Sequence, residues 1–171
     1  GSDSPVVRAM LSALVPKVMS SIGSFGAQAT SNALYGLQGM SSDSAEVRAM
    51  LSALEPKVIS CRETLDAQSI ANLLYSMHRM SSDCSEVCAM LSALLPIVER
   101  CTEVFHAWAV GKMLYGMHRM SSDRSEVCAM ILALVPKVLC CAQAFLAHAV
   151  DKALYGMQRM SSDSPEVCAM L

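Results

Sequence analysis

The chain of 171 residues is 53% apolar and 16% charged, with a formal net charge of −2, a composition that supplies a continuous core and excludes an intrinsically disordered segment. Its longest apolar runs, such as Ala129 to Val135, stop well short of the roughly 18 residues a membrane helix needs, so no membrane contact is expected. The net charge by itself points to no polyanionic partner.

The organising feature is a period of forty residues without insertion. Asp3, Asp43, Asp83, Asp123 and Asp163 fall in step, as do Pro16, Pro56, Pro96 and Pro136, Tyr35, Tyr75, Tyr115 and Tyr155, and Met40, Met80, Met120 and Met160. The chain divides into units 2–41, 42–81, 82–121 and 122–161 and a partial unit 162–171, read as one array. Such a period is the signature of stacked units that each leave an apolar face for the neighbour to cover. Gly1-Ser2 resembles an expression scar, and the break at Met170-Leu171 in mid-helix suggests a piece of a longer array.

Each unit opens with Ser-Asp-x-x-Glu-Val or a close variant, for example Ser42, Asp43 and Glu46, where the aspartate predicts a helix cap and the glutamate a capping-box partner. Pro5 and Pro165 occupy a first-turn position where proline is tolerated. The first helix of the unit, helix A, presents Val47, Met50, Leu51, Leu54 and Val58 on one face. Pro56 falls inside it and either kinks the helix or breaks it in two; the unbroken phase of the apolar stripe favours a kink with the proline on the outer side. After a connection near residues 62–66 comes helix B, about residues 67–79, with Ala67, Ile70, Leu74 and Met77 inward and Asp66 as a cap in this unit alone. The link at Met80-Ser81-Ser82 leads into the next helix A. The expected fold is all-α, a right-handed superhelical solenoid of αα-hairpins with four 40-residue repeats and a terminal partial repeat.

The eight cysteines follow the repeat, with Cys88, Cys128 and Cys168 at one position and Cys61, Cys101 and Cys141 at another. Equivalent positions on packed helices sit ~8–10 Å apart, too far for a disulfide, so reduced thiols in an intracellular protein are expected. His78 with Cys84 and Cys88, or His118 near Cys128, match no recognised zinc spacing. No nucleophile, base and acid stand apart from the repeat, and no phosphate-binding glycine loop is present. Neither enzymatic activity nor a cofactor is expected.

Comparison of the copies singles out one ridge on helix B. Gln68, Asn72, Tyr75 and Arg79 lie within about 60° of one another at 100° per residue and opposite the apolar stripe. The ridge reads Gln28, Asn32, Tyr35 and Gly39 in the first unit, Trp108, Lys112, Tyr115 and Arg119 in the third, and His148, Lys152, Tyr155 and Arg159 in the fourth. Variable polar or aromatic residues thus stand beside a constant tyrosine and a near-constant arginine, a mixture suited to stacking on bases, bonding their edges and pairing with phosphates. The tyrosines have a packing reading too, because helix B touches its neighbours, and the arginines can simply complement helix C-termini. The four helix B windows carry five basic residues and one acid, a net of +4 in a chain whose total is −2, and a basic stripe is what a polyanion feels.

The word from Leu65 to Met77, LDAQSIANLLYSM, with a helix containing Leu-x-Pro-Lys-Val, resembles the octotricopeptide-type repeat over all four units, with tyrosine in place of that family's usual tryptophan. The resemblance implies an αα-solenoid that binds single-stranded RNA in chloroplasts or mitochondria, acting in RNA processing, stability or translation, with the ridge residues as readers. The rival expectation is an armadillo- or HEAT-type scaffold whose asparagines and aromatics grip an extended peptide. Uncovered apolar ends would also allow head-to-tail self-association.

Overall fold

The computed structural model describes residues 4–161 and Asp163. The described residues form eight α-helices: α1 (Pro5–Ser20), α2 (Ala27–Tyr35), α3 (Ala45–Ile59), α4 (Ala67–Ser76), α5 (Ser85–Arg100), α6 (Ala107–Tyr115), α7 (Ser125–Leu139) and α8 (Ala147–Gly156). The chain is all-α. Helix α1 packs on α3, α3 on α5 and α5 on α7, while α2 packs on α4, α4 on α6 and α6 on α8. Pro165 and most of the partial unit 162–171 lie outside the described residues.

The apolar stripes fill the core. Val47, Leu51, Leu54 and Val58 of α3 and their counterparts Val87, Leu91, Leu94 and Val98 of α5 are buried with Ile70 and Leu74 of α4 and Met77 at its C-cap. Each such side chain contributes roughly 1.5–3 kcal/mol on leaving water. Many of the methionines belong to this core: Met50, Met80, Met90, Met113, Met117, Met120 and Met130 are buried, a use that suits a flexible side chain able to fill irregular gaps.

Helices α1, α3, α5 and α7 run unbroken through Pro16, Pro56, Pro96 and Pro136, and each proline is exposed. The alternative of two short helices is excluded. Asp66 caps α4, its carboxylate accepting from the Ser69 N–H at 2.6 Å. Helix B is shorter than its periodicity predicts, because α4 ends at Ser76 and continues as a turn in which the Met77, His78 and Met80 N–H groups bond carbonyls three residues back.

The expected capping box does not form. The caps of α3, α5 and α7 are Ser44, Cys84 and Arg124, with no side-chain cap bond, and Glu46 instead accepts from the Ser44 hydroxyl at 2.6 Å. The Asp43 and Asp83 carboxylates are engaged by the Ser41 and Ser81 hydroxyls at 2.8 and 2.9 Å. Helix ends are satisfied across units instead. The first N–H groups of α2, α4 and α6, on Ala27, Ala67 and Ala107, donate to Glu63, Glu103 and Gln143 at 2.7, 2.9 and 3.2 Å, partners that an isolated helix start lacks. The carbonyls of Ser21, Cys61 and Cys101 accept from Lys57 at 2.6 Å, Arg100 at 2.9 Å and Lys137. Within units, the first and last residues meet, the Ser42, Ser82 and Ser122 hydroxyls accepting from the Ser81, Ser121 and Ser161 N–H groups at 2.9, 2.9 and 2.8 Å. The Cys88 and Cys128 thiols donate to the Ser82 and Ser122 carbonyls, the counterparts of the Ser42 carbonyl that Arg48 bonds.

Candidate functional site

The predicted ridge lies along α2, α4, α6 and α8, and none of its residues is buried. Gln28, Asn32, Tyr35, Gln68, Arg79, Trp108, His148, Tyr155 and Arg159 are exposed; Asn72, Tyr75, Lys112, Tyr115, Arg119 and Lys152 are partly covered. Their positions follow from the inward stripe, since burying Ile70, Leu74 and Met77 turns the opposite face of α4 to solvent.

The spacing of these helices is set by small residues. A Cβ at Gly116 would lie 2.0 Å from the Leu74 carbonyl oxygen, and one at Gly156 would lie 2.0 Å from that of Leu114. Only glycine lets the backbones meet this closely. The approach stacks the tyrosines, with Tyr75 and Tyr115 rings 5.7 Å apart and Tyr115 and Tyr155 rings 5.6 Å apart. His78 and His118 join the same column, 5.0 Å from Tyr75 and 5.2 Å from Tyr115 respectively. Tyr75, Tyr115 and Tyr155 therefore spend ring contacts on one another, which is the packing role anticipated for them. Burial pushes the Tyr115 hydroxyl up and the His78 imidazole down from their ordinary values, with His118 and Arg79 adding to the second shift and the His78 bond to the Tyr75 carbonyl opposing it.

The arginines form a ladder at the ends of these helices. Arg79 donates to the Gly39 carbonyl at 2.9 Å, Arg119 to that of Arg79 at 2.9 Å, and Arg159 to that of Arg119 at 3.1 Å. Arg119 also pairs with Asp43 at 3.2 Å and Arg159 with Asp83 at 3.5 Å. Much of their hydrogen-bonding capacity is thus committed to joining units.

The lysines differ. Lys112 Nζ donates to Asn72 Oδ1 at 2.6 Å and lies 4.8 Å from the Tyr75 ring centre and 5.2 Å from that of Trp108. Burial lowers its ammonium's affinity for the proton, and the neighbouring Lys152 lowers it further. Among the described residues no carboxylate pairs with either lysine. Two cations share one surface, with the exposed Asp151 carboxylate near Tyr115 but not paired with either of them.

Between α2 and α4 the ridge opens into a cleft of about 330 Å³, lined by Gln28, Asn32, Tyr35 and Asn72 together with Ser31, Thr64, Asp66 and Ser69. Tyr35 makes no ring contact among the described residues and is 50% exposed. The structure thus brings Gln28, Asn32, Tyr35 and Asn72 together at one seam and Asn72, Tyr75, Trp108 and Lys112 at the next. Gln68 and His148 are exposed near the starts of α4 and α8 but do not line the cleft. His78, His118 and the glycines and serines that set the seams were not singled out by the ridge pattern, because their effect depends on a partner one unit away.

Among the described residues no group of three or more His, Cys, Asp and Glu side chains is placed to hold a metal ion, and no helix is long and apolar enough to cross a membrane. No family model, no curated protein and no solved structure matches the chain.

Proposed function

We propose that the chain is part of an αα-solenoid of 40-residue units that binds single-stranded RNA along the surface of α2, α4, α6 and α8. The observation that carries this reading is the pair Lys112 and Lys152, neighbouring cations on a solvent-facing ridge with no carboxylate partner among the described residues. A phosphate would relieve their mutual repulsion. Trp108 offers exposed aromatic surface beside Lys112, Tyr35 offers it at the seam between α2 and α4, and Gln28, Asn32 and Asn72 offer amides, the combination that single-stranded nucleic acid requires. The bonds of the Ala27, Ala67 and Ala107 N–H groups to Glu63, Glu103 and Gln143, each spanning 36 positions, favour the solenoid reading, since the same contact recurs at successive junctions. In the setting that the octotricopeptide resemblance implies, the partner would be an organellar transcript.

Asn32 and Asn72 lining one cleft favour a second reading, an extended peptide held by its backbone amides. Competition separates the two. A labelled pool of random single-stranded RNA is expected to bind at low ionic strength and to be displaced by heparin but not by an acidic peptide. Absence of salt-sensitive RNA binding contradicts the RNA reading.

A further inference from the structure

The seam between α2 and α4 is built differently from the two that follow it. Where Gly116 and Gly156 let α6 and α8 close on the Leu74 and Leu114 carbonyls, α4 carries Ser76. A Cβ cannot occupy the 2.0 Å gap measured at Gly116, so α4 stands farther from the equivalent Leu34 carbonyl. A second position works in the same sense. Gly111 faces Ala149 so closely that a Cβ there would lie 2.8 Å from the Ala149 oxygen. Its counterparts in sequence are Ala71 and Ser31, and those of Ala149 are Ala109 and Ser69. The side chains thicken toward the first seam, and Ser31 and Ser69 both line its cleft.

The filling residues change too. Lys112 reaches back across its seam to Asn72 and covers the Tyr75 ring. Its counterpart at the first seam is Asn72, which lines the cleft with Asn32 and Tyr35. The tyrosine column starts at Tyr75, so Tyr35 has a ring face with no aromatic neighbour among the described residues.

The lining contains no lysine or arginine, and its one charge is the exposed Asp66 carboxylate. A phosphate is disfavoured there and a neutral planar ring is not. Asp66 and the amide oxygens of Asn32 and Gln28 are acceptors, suited to an exocyclic amino group, and Asn72, whose oxygen is held by Lys112, offers its amide N–H groups to a ring nitrogen or carbonyl. A volume of about 330 Å³ lies at the small end of ligand clefts. Resting on the RNA reading above, we infer that this seam is a specificity site that seats one unstacked nucleobase bearing an exocyclic amino group, on Tyr35 and edge-on to Asn32 and Asn72, and that Ser76 and Ser31 hold it open.

Cytosine and uracil are alike in size and differ along one edge, a C4 amino group beside an acceptor N3 against a C4 oxo group beside an N3–H donor, and make the cleanest probe. Fluorescence anisotropy with labelled oligocytidylate and oligouridylate of equal length is expected to show about tenfold tighter binding of the former. Ser76→Gly closes the seam and brings the ratio near unity without weakening oligouridylate binding. Asn32→Leu, an exposed change that leaves the seam width alone, reduces the ratio as well. Equal affinity of the wild-type chain for both oligomers, or a ratio unmoved in the two variants, overturns the seam and leaves RNA binding standing. No binding of either oligomer overturns both.

Discussion

Arg119 and Asp43 lie 76 residues apart in the chain and meet at 3.2 Å, while the same guanidinium bonds the Arg79 carbonyl at 2.9 Å. One side chain therefore ties two successive units together. Arg119→Gln is expected to cost about 1 kcal/mol of stability, discounted for the exposure of the pair, and to change RNA affinity by less than about twofold. Urea melts and anisotropy on the same variant test both halves. A large affinity loss with unchanged stability would return Arg119 to the phosphate-binding group.

The close seams make a sharp steric prediction. Gly116→Ala and Gly156→Ala drive a Cβ into a backbone carbonyl that cannot rotate away, at a cost of about 1–3 kcal/mol each. Gly36→Ala meets its nearest neighbour at 3.4 Å and is expected to be within about 0.5 kcal/mol of wild type. Thermal melts of the three variants rank them; equal effects would contradict the spacing argument.

In the third unit Ile97 stands where the other complete units have Lys17, Lys57 and Lys137, and Arg100 has taken over the carbonyl of Cys61. The substitution is imperfect, because Arg100 Nε is buried without a partner. The double change Ile97→Lys with Arg100→Ser restores the arrangement of Lys57 and Ser60 and is expected to leave stability unchanged or raise it by up to about 1 kcal/mol. Arg100→Ser alone removes the bond and lowers stability. A denaturant titration in which the double variant is the weaker of the two would show that the carbonyl needs no side-chain donor.

Acid should loosen the layer of α4, α6 and α8. The folded chain holds His78 below its ordinary imidazole value, chiefly through burial, so the unfolded state takes up the proton first. Stability is complete above the ordinary value of about 6.5 and falls as pH drops from there through the depressed folded value. Asp43, held low first by the Ser41 hydroxyl and then by Arg119, contributes above the ordinary carboxylate range and is lost only in stronger acid. His78→Gln, the residue found at Gln38 and Gln158, is expected to flatten the melting temperature between pH 7 and pH 5. An unchanged pH slope in that variant would remove His78 from the account.

Most of the secondary structure was legible because one helical period controls it: Leu54, Leu94 and Leu134 are buried where the stripe puts them, and Asp66 caps as its position implies. Bonds between units were not legible, because a single copy does not contain both partners. Asp43 looked like a cap and is an anchor for Arg119, and Glu63, in the connection near residues 62–66, caps α2 of the preceding unit. The same holds for the ridge. Its exposure followed from periodicity, whereas the division of labour between stacked tyrosines, committed arginines and lysines without a carboxylate partner depends on how closely Gly116 and Gly156 let the helices approach.

The most direct measurement is the salt dependence of single-stranded RNA binding by the wild-type chain and by Lys112→Ala with Lys152→Ala. If both lysines hold phosphates, the double variant binds more weakly to every RNA tested, and its slope of log affinity against log salt is shallower by about 1.4. Identical slopes in the two proteins would contradict the central claim, because the two cations would then touch no phosphate.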